Sequence, residues 1–445
     1  MTGRTLHLNV NLLHSGVYPS AWRLPGSRPD AFVDIDHFIR VARVAERGKL
    51  DAIFLADTPA INDRIDYRPF NALEPTVVLA SIAAVTRHVG LVATASTTYN
   101  APFNLARRFA SLDLVSRGRV GWNVVTTADA AAGRNFGFAG ASEHGARYAR
   151  AREFTDLVHA LWDSWEDDAF LGDTARGRFI DPAKVHAVNH RGAHYTVEGP
   201  LTVPRSPQGR PVTFQAGGSE DGRELAAATA DAVFSLAQTI ADGVAYARDL
   251  RARAARYGRG PDALVILPGL ATVIGSTEAE ARRRQDELWD LVPLEYSLAR
   301  LAGTLRIDPT RLELDKPLPD PLPLPPDANH TMFSGTVALA RREGLTVRQL
   351  LRALGGGVGH RIMAGTPEAI ADDIEAWFRA GAADGFNLMP DVLPDGLETF
   401  VDAVVPILQR RGLFRRDYAG ATLRDHLGLA RPPSRYASGG ASLSA

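Results

Sequence analysis

The sequence contains no cysteine, which excludes disulfide bonds, thiolate metal sites and a cysteine nucleophile. Cysteine usage therefore cannot indicate the redox compartment. An excess of charge of either sign is also missing, because 50 basic side chains stand against 51 acidic ones. The sequence thus gives no electrostatic argument for binding nucleic acid or an anionic membrane surface.

Long apolar runs are absent as well. No segment contains the ~18 consecutive apolar residues that a membrane-spanning helix needs. The first residues, MTGRTLHLNVNLLHSG, lack the continuous apolar stretch and the cleavage site of a signal peptide. We therefore expect a soluble cytoplasmic protein. Its 445 residues are enough for one large core or for two ordinary domains.

The stretch at residues 101–127 organises the rest of the chain and predicts a helix, a turn and a strand. Apolar residues recur at helical spacing in its first half, at Phe103, Ala106, Phe109, Leu112 and Val115. Gly118 ends the helix, because glycine tolerates the left-handed geometry of a helix cap. Residues 120–125 form a mostly apolar strand, as expected where both faces are covered. Asn123 interrupts that strand, so its amide must face either a bonded neighbour or a ligand.

Strand-like and helix-like segments alternate along the whole chain. The eight predicted strands span residues 6–13, 51–56, 89–95, 120–125, 212–216, 232–237, 264–274 and 386–389. The remaining predicted helices span residues 33–48, 75–87, 144–165, 219–230, 241–257, 278–301, 366–380 and 397–411. This alternation favours a closed parallel (β/α)8 barrel, the TIM-barrel class of α/β fold, over an open doubly wound sheet. The segment after the first strand, HSGVYPSAW, is not the GxGxxG of a dinucleotide-binding sheet.

Two long insertions interrupt the even spacing, one after strand 4 and one after strand 7. The first covers about residues 170–210 and contains a hairpin-like stretch, and the second covers about residues 304–360 and includes DKPLPDPLPLPPD and LGGGVGHR. Insertions of this length in a barrel are usually functional or mobile, so the second one is a candidate lid. We predict one barrel domain over residues 1–431 and a flexible tail over residues 432–445.

Barrel enzymes place their active sites at the C-terminal ends of the strands. Here those positions hold small, hydroxyl and amide residues, with Asp57 after the second strand and Thr94 and Asn123 on the third and fourth. Pairs of carboxylates are scarce, so the set suits a large, flat polar ligand better than hydrolysis by two acids. Asp57 also has the alternative role of a turn or cap residue, and Asn123 that of a satisfied core amide.

The segment QAGGSEDG joins the fifth strand to its helix. Its glycines, including Gly218, allow close approach of a ligand to the backbone, and Ser219 begins a helix whose N–H groups can face an anion. This pattern predicts a phosphate clamp, and the alternative is an ordinary turn with a serine cap. His144 and Tyr148 share one helix face and can both donate hydrogen bonds to phosphate, although both residue types are often simply exposed.

Other candidates carry weaker signals. His14 at the end of the first strand and His360 in the second insertion could handle protons at the barrel mouth. His7 and Asn9 stand where a metal-dependent barrel hydrolase would have two histidines, but no carboxylate or lysine completes a metal set, and we predict no metal site. Arginines that could bind substrate carboxylates are Arg23, Arg64 and Arg361.

Several long motifs together resemble the bacterial luciferase-like flavin monooxygenases. They are NLARRFASLDLVSRGRVGWNVVTT, AAGRNFG, RYARAREF, GPLTVPRSPQGRPVTFQAGGSEDGRELAAATADAVF and DGFNLMPDVLPDGLETFVDAVVPILQRRGLFR. The resemblance covers about residues 5–430. It is greatest to the branch with the nitrilotriacetate, EDTA and dibenzothiophene-sulfone monooxygenases and the pristinamycin synthase subunit.

This resemblance implies a barrel that binds reduced FMN supplied by a separate NAD(P)H:flavin reductase. It also implies which residues contact FMN: Asp57 near the isoalloxazine, Thr94 and Asn123 on their strands, His144 and Tyr148 toward the phosphate, and Gly218 with Ser219 as the phosphate clamp. Relatives form homodimers or homotetramers, so we expect the same of this chain.

The resulting hypothesis is that one atom of O2 enters a small organic substrate through a flavin hydroperoxide, and that C–N or C–S cleavage can follow. The cofactor supplies the reactive chemistry, so no side chain is assigned as acid or base. The alternatives are a deazaflavin-dependent oxidoreductase, a flavin-binding barrel without catalysis and a metal hydrolase. Nothing in the sequence distinguishes an aminopolycarboxylate substrate from a sulfone, a thioether or an alkane.

Overall fold

The computed structural model describes residues 4–61, 65–138, 144–323, 330–354 and 359–436. Eight parallel strands close into a barrel, because β8 pairs with both β1 and β7, and β7 pairs in turn with β6. The strands are β1 His7–Asn11, β2 Ala52–Leu55, β3 Gly90–Ser96, β4 Val120–Val125, β5 Val212–Gln215, β6 Ala232–Ser235, β7 Val265–Ile274 and β8 Gly385–Pro390. The predicted (β/α)8 barrel with insertions after strands 4 and 7 is confirmed.

Helices follow the strands on the outside of the barrel. They are α1 Ile35–Arg47, α2 Pro75–Val85, α3 Pro102–Val115, α4 Ala130–Asn135, α5 His144–Trp162, α6 Glu220–Thr229, α7 Ile240–Arg256, α8 Glu278–Asp290, α9 Leu294–Leu305, α10 His330–Arg342, α11 Val347–Ala353, α12 Pro367–Arg379, α13 Asp395–Thr399, α14 Val405–Arg410 and α15 Leu423–His426. A π-helical segment, Phe400–Val404, joins α13 to α14. No helix of the described chain is long and apolar enough to cross a membrane.

Two differences from the sequence prediction concern β7 and the helices that follow it. The single helix predicted over residues 278–301 is two helices, α8 and α9, and Pro293 stands at the N-cap of the second. Proline has no N–H to donate, so it begins a helix more readily than it continues one. A further parallel strand, Arg361–Gly365, pairs with the second half of β7. β7 has ten residues and the four-residue β6 covers only its first half, which leaves an edge for this strand.

Alternate residues of the strands face the barrel interior and the helices. On β1, Leu8 and Val10 pack into the large cluster formed with the helices, so Asn9 between them faces the interior. The interior cluster contains Ala52, Phe54, Val92, Val212, Phe214, Ala232, Val265 and Leu267. Leu423 and Leu427 of the C-terminal segment join that cluster, and Leu423 donates its N–H to Gly118 just before β4. The C-terminal segment therefore closes the end of the barrel where the strands begin.

A buried charge pair holds the C-terminal segment in place. Asp51 is fully buried, accepts a hydrogen bond from the N–H of Leu8 at 2.7 Å and pairs with Arg415. Burial by itself would raise the pKa of Asp51, but Arg415 and His7 beside it hold that pKa below its usual range. At the far end of the segment Tyr436 stacks on His186, with ring centroids 3.7 Å apart.

The helix, turn and strand at residues 101–127 form as predicted, but one residue of the apolar row on the helix does not lie on the buried face. Phe109 and Leu112 of α3 are buried, whereas Val115 is 64% exposed, because steps of three residues fall short of a 3.6-residue turn and carry Val115 away from the buried face. Gly118 adopts φ +86°, which suits the turn predicted there. The insertion after β4 forms two short hairpins, one pairing Phe170–Asp173 with Arg178–Ile180 and one pairing His190–Arg191 with Thr196–Val197.

Candidate functional site

Thr94 and Asn123 lie side by side at the C-terminal ends of β3 and β4. They are register partners, and the Asn123 Nδ2 donates a hydrogen bond to the Thr94 Oγ1 at 2.9 Å. The Asn123 Oδ1 is buried and has no hydrogen-bond partner among the described residues. Asn123 therefore has a bonded neighbour, and its second polar atom is a buried acceptor without a partner among the described residues.

Asp57 stands just beyond the end of β2, at the same end of the barrel. Its side chain is partly buried, and burial, followed by the negative charge of Glu74, raises its pKa to about 6. Arg108 opposes this shift without cancelling it. Asp57 therefore changes its charge close to neutral pH, which is typical of carboxyl groups at functional sites.

A second polar group forms at the N-terminus of α6. Ser219 is the N-cap, and its Oγ accepts a hydrogen bond from the N–H of Gly222 at 3.2 Å. The Tyr148 hydroxyl of α5 lies 3.5 Å from the same Oγ. A Cβ at Gly222 would lie 3.2 Å from the Tyr148 hydroxyl and 3.1 Å from the Ser219 Oγ. Glycine at this position therefore leaves room around both hydroxyls.

The first turn of α6 carries two acidic side chains, Glu220 and Asp221, together with the N–H groups of the helix end. The first turn of a helix carries N–H groups without intrahelical partners and a partial positive charge. Glu220 in that turn is held by Arg253, which donates to both carboxylate oxygens at 2.5 and 2.9 Å. Arg223 donates to the Gly218 carbonyl at 3.1 Å and fixes the turn. The His144 side chain, predicted beside Tyr148, lies outside the described part of the structure.

His14 lies beyond β1 at the barrel mouth and is 3% exposed. Its Nδ1 accepts a hydrogen bond from the N–H of Ser15 at 2.8 Å, which leaves the proton of the neutral ring on Nε2. Burial, together with the nearby charges of Arg68 and His37, lowers the pKa of His14 to about 3. His14 is therefore neutral at physiological pH and can donate a hydrogen bond from Nε2, but it is a poor proton acceptor.

His360 packs on the interior residue Phe234 of β6. The two rings are nearly parallel, at 11°, with centroids 5.1 Å apart. Burial lowers the pKa of His360 to about 4, and its Nδ1 is buried without a hydrogen-bond partner among the described residues. The two histidines that the sequence suggested for proton handling, His14 and His360, therefore both contact the barrel and are both neutral at physiological pH.

Helix α9, which leads into the insertion after β7, borders the mouth. Arg68, in the loop after β2, donates a hydrogen bond to the Tyr296 hydroxyl of α9 at 3.4 Å. The rings of Tyr67 and Tyr296 are 6.1 Å apart, and Trp22 donates to the Tyr67 carbonyl. This helix thus forms a wall over the loops after β1 and β2. Residues 324–329 and 355–358, which belong to the predicted lid, lie outside the described chain.

The structure describes two of the three arginines that the sequence suggested for binding substrate carboxylates. Arg361 pairs with Asp373 at 2.7 Å and lies over the Trp377 ring of α12, on the side of the sheet that faces the helices. Arg23 donates to the carbonyl of Leu291, and Arg64 is outside the described ranges. Within those ranges no group of three or more His, Asp or Glu residues could hold a metal ion.

Two groups of residues at this end of the barrel were not predicted from the sequence as parts of the site. One is an aromatic rim, in which Tyr99 stacks on Phe136 at 4.6 Å and Phe138 lies 5.6 Å from Tyr99. The other is the interior pair Asn9 and Asn387, which are register partners on β1 and β8. Alternation of polar and apolar residues within the otherwise buried strand HLNVN is the signal that could have found Asn9 as an interior residue.

Known proteins of one family are similar to this chain over most of its length. The family model described as luciferase-like monooxygenase matches residues 18–384. Nitrilotriacetate monooxygenase component A of Aminobacter aminovorans is 47% identical over 98% of this chain and 99% of its own length. The EDTA monooxygenase structure from Chelativorans sp. BNC1 is 38% identical with a TM-score of 0.80, covering 97% of this chain and 100% of that one. A riboflavin lyase solved with modified FMN and riboflavin is 33% identical with a TM-score of 0.84, covering 96% and 97% of the two chains.

Proposed function

Since the chain belongs to the luciferase-like monooxygenases and is a flavin-dependent monooxygenase, we propose that it is the oxygenase of a two-component system that uses reduced FMN and O2. The observation that carries this proposal is the pair of hydroxyls of Ser219 and Tyr148, 3.5 Å apart at the N-terminus of α6. Two hydroxyl donors and a helix N-terminus form a binding site for a phosphate group.

The residues present fit both ends of FMN. Ser219, Tyr148 and the first-turn N–H groups of α6 would hold the phosphate, with Gly218 beside them, and we propose His144 as a further contact because it precedes Tyr148 by one turn of α5. At the other end, Asp57, Thr94 and Asn123 would face the isoalloxazine, which carries N–H donors and carbonyl acceptors. The unused Oδ1 of Asn123 supports this assignment, since a buried acceptor without a partner calls for a donor.

When bound, reduced FMN supplies the two electrons with which one oxygen atom of O2 enters the substrate while the other leaves as water. The residues of this chain bind and orient the cofactor and keep bulk water from it. The neutral His14 can donate a hydrogen bond from Nε2 without carrying charge into the mouth. Asp57, with its pKa of about 6, can hold or release a proton beside the ring.

We propose that a separate NAD(P)H:flavin reductase supplies the reduced FMN. The name of the Aminobacter relative, component A, supports this partner, because it describes that protein as one part of a larger system. The oxygenase then needs to bind a reduced flavin that another protein has released. A phosphate clamp on a preformed turn suits this task, since it provides affinity without contact to the reductase.

For the substrate we propose a small organic polycarboxylate. The names of two similar proteins, a nitrilotriacetate and an EDTA monooxygenase, support this class. Positive charge at the mouth supports it as well, since Arg68 acts electrostatically on His14, Arg108 on Asp57 and Arg147 on Tyr99. Arg68 lies in the loop after β2, Arg108 in α3 and Arg147 in α5, so they can meet carboxylates on different arms of one substrate.

The proposal is tested by supplying the purified chain with FMN, NAD(P)H, a flavin reductase and isotopically labelled O2. The substrate panel contains nitrilotriacetate, EDTA and dibenzothiophene sulfone, and products are analysed by mass spectrometry. We expect one labelled oxygen atom in the product of a polycarboxylate, and no product when the reductase is left out. Product formed with a reduced deazaflavin and no O2 would overturn the assignment in favour of hydride transfer. A labelled product from the sulfone alone would overturn only the substrate class.

A further inference from the structure

Five buried polar atoms in one layer of the barrel interior have no hydrogen-bond partner among the described residues. Four are the side-chain oxygen and nitrogen atoms of Asn9 and Asn387, both of which are 0% exposed. The fifth is the Nδ1 of His360. None of these atoms is used by the FMN site proposed above.

The strand register places these atoms together. Asn9 on β1 is the register partner of Asn387 on β8, and Asn387 is in turn the partner of Gly269 on β7. Neighbouring strands lie about 4.8 Å apart, so the three positions form one continuous row across the barrel wall. Phe386 and Leu388 pack against the helices, so Asn387 between them faces the interior, as Asn9 does.

Gly269 is the position at which His360 enters this row. A Cβ at Gly269 would lie 2.3 Å from the His360 Nδ1, so only glycine allows the ring to reach so far into the barrel. The ring is held there by stacking on Phe234, and Gln238 donates to the Gly359 carbonyl at 3.2 Å. His360 thus brings a ring nitrogen to a row that already contains two amides without partners.

Physical chemistry requires these atoms to be satisfied. Each buried polar atom left without a hydrogen bond carries a desolvation cost, and five together would approach the whole stability of an ordinary domain. Two adjacent amides offer both donors and acceptors, and an imidazole nitrogen adds one more group. Ordered water needs two to four such partners and commonly occupies sites of this kind.

We propose that Asn9, Asn387 and His360 enclose a buried site for ordered water. This water would hold the His360 ring in one orientation, so that its Nε2 atom is available for hydrogen bonding at the barrel mouth. Asn9 and Asn387 are then positioning residues for His360. The site explains why a neutral, partly buried histidine stands over a glycine. It does not depend on the FMN proposal, because all of its features belong to the ligand-free chain.

The direct test is a crystal structure of the ligand-free protein at a resolution that shows ordered water. We expect at least one water molecule within hydrogen-bond distance of Asn387, Asn9 and the His360 Nδ1. A direct amide–amide hydrogen bond between Asn9 and Asn387, with no water beside them, would overturn the proposal. So would a dry chamber.

A second test follows His360 in solution by the 15N resonances of its ring in histidine-labelled protein. The variant Asn387→Leu keeps the approximate shape of the side chain and removes its polar atoms, so it should shift the His360 Nδ1 resonance. Asn387→Ser keeps a hydroxyl and leaves room for water, and it should restore the resonance toward its wild-type position. His360→Gln identifies the resonance by removing it.

Thr272→Val is the matched control for this measurement. Thr272 is 1% exposed, and its Oγ1 also lacks a partner among the described residues. It lies three residues after Gly269 on β7, so its side chain points to the opposite side of the strand, toward the helices. T272V should leave the His360 resonance in place. An equal shift in T272V and N387L, or no shift in N387L, would contradict the positioning role. FMN affinity is measured separately, so its loss or retention tests only the proposed function.

Discussion

The hydroxyl oxygens of Tyr148 and Ser219 lie 3.5 Å apart, although 71 residues separate them along the chain. Tyr148 comes from the helix after β4 and Ser219 from the turn after β5. The barrel brings these two loops together because β4 and β5 are hydrogen-bonded neighbours. The proposed phosphate clamp is therefore a product of strand order rather than of either segment by itself.

Replacing Ser219 with alanine should weaken FMN binding roughly tenfold or more, because a hydrogen bond to a charged group contributes about 1.5–3 kcal/mol. The loss should be larger for FMN than for riboflavin, which has no phosphate. The measurement is flavin binding by fluorescence or calorimetry. S219A also removes a helix cap, which costs about 1 kcal/mol of stability.

Thr277→Ala is the control for the loss of the cap. The Thr277 Oγ1 accepts a hydrogen bond from the N–H of Glu280 at 3.1 Å at the start of α8, so its removal costs a cap of the same kind. T277A should lower the melting temperature about as much as S219A and leave FMN affinity unchanged. Equal losses of FMN affinity in both variants would refute the clamp.

Asp57→Asn should stabilise the protein at neutral pH and lose this advantage in acid. The folded protein keeps Asp57 protonated up to a pKa of about 6, against an ordinary value of 3.8, so ionisation of Asp57 costs stability as pH rises between these values. The melting temperature of D57N should therefore exceed that of the wild type by an amount that grows as pH rises across this range. Glu74→Gln should reduce the divergence, because Glu74 contributes to the raised pKa. A difference independent of pH would count against the assigned pKa.

The buried His426 should make the protein sensitive to acid. It is 3% exposed, and burial, followed by the positive charge of Arg415, lowers its pKa to about 4. Between this pKa and the ordinary value of 6.5 the unfolded chain is protonated at His426 and the folded protein is not. The free energy of unfolding therefore decreases as pH falls from 6.5 toward about 4. His426→Gln should reduce the slope of unfolding free energy against pH by about 1.4 kcal/mol per pH unit, the contribution of one proton.

The control for this slope is Thr422→Ala, which removes the cap of the same short helix without removing a histidine. T422A should lower stability by a similar amount throughout that interval and keep the wild-type slope. Denaturant unfolding at several pH values gives both quantities. If H426Q kept the full slope, His426 would not be the group that takes up the proton.

Gly269→Ala should displace His360 and destabilise the barrel. The added Cβ would lie 2.3 Å from the His360 Nδ1, which forces the ring off Phe234. Shortening the clashing side chain should relieve the strain, so G269A/H360A should be more stable than G269A. Gly260→Ala is the neutral control, since nothing lies within 4 Å of its added Cβ. Equal stability of G269A and the double variant would show that the two residues do not meet.

The sequence determined the fold class and the local parts of the site. Alternation of short apolar strands with amphipathic helices is a local pattern, and it predicted the barrel and its insertions. Ser219 was predicted as a helix cap for the same reason, because the cap hydrogen bond to Gly222 spans only three residues. The error at Val115 shows the limit of such patterns, since steps of three residues fall short of a helical turn and leave the buried face.

Only the tertiary structure decided which of these local parts meet. The row of Asn9, Asn387 and Gly269 depends on the register of β1, β8 and β7, and no spacing along the chain encodes it. The same holds for the ring of His360, which reaches the barrel from an insertion because Gly269 leaves space for it. Barrel closure joins the first strand to the last, and the polar atoms that closure buries there must be satisfied across strands.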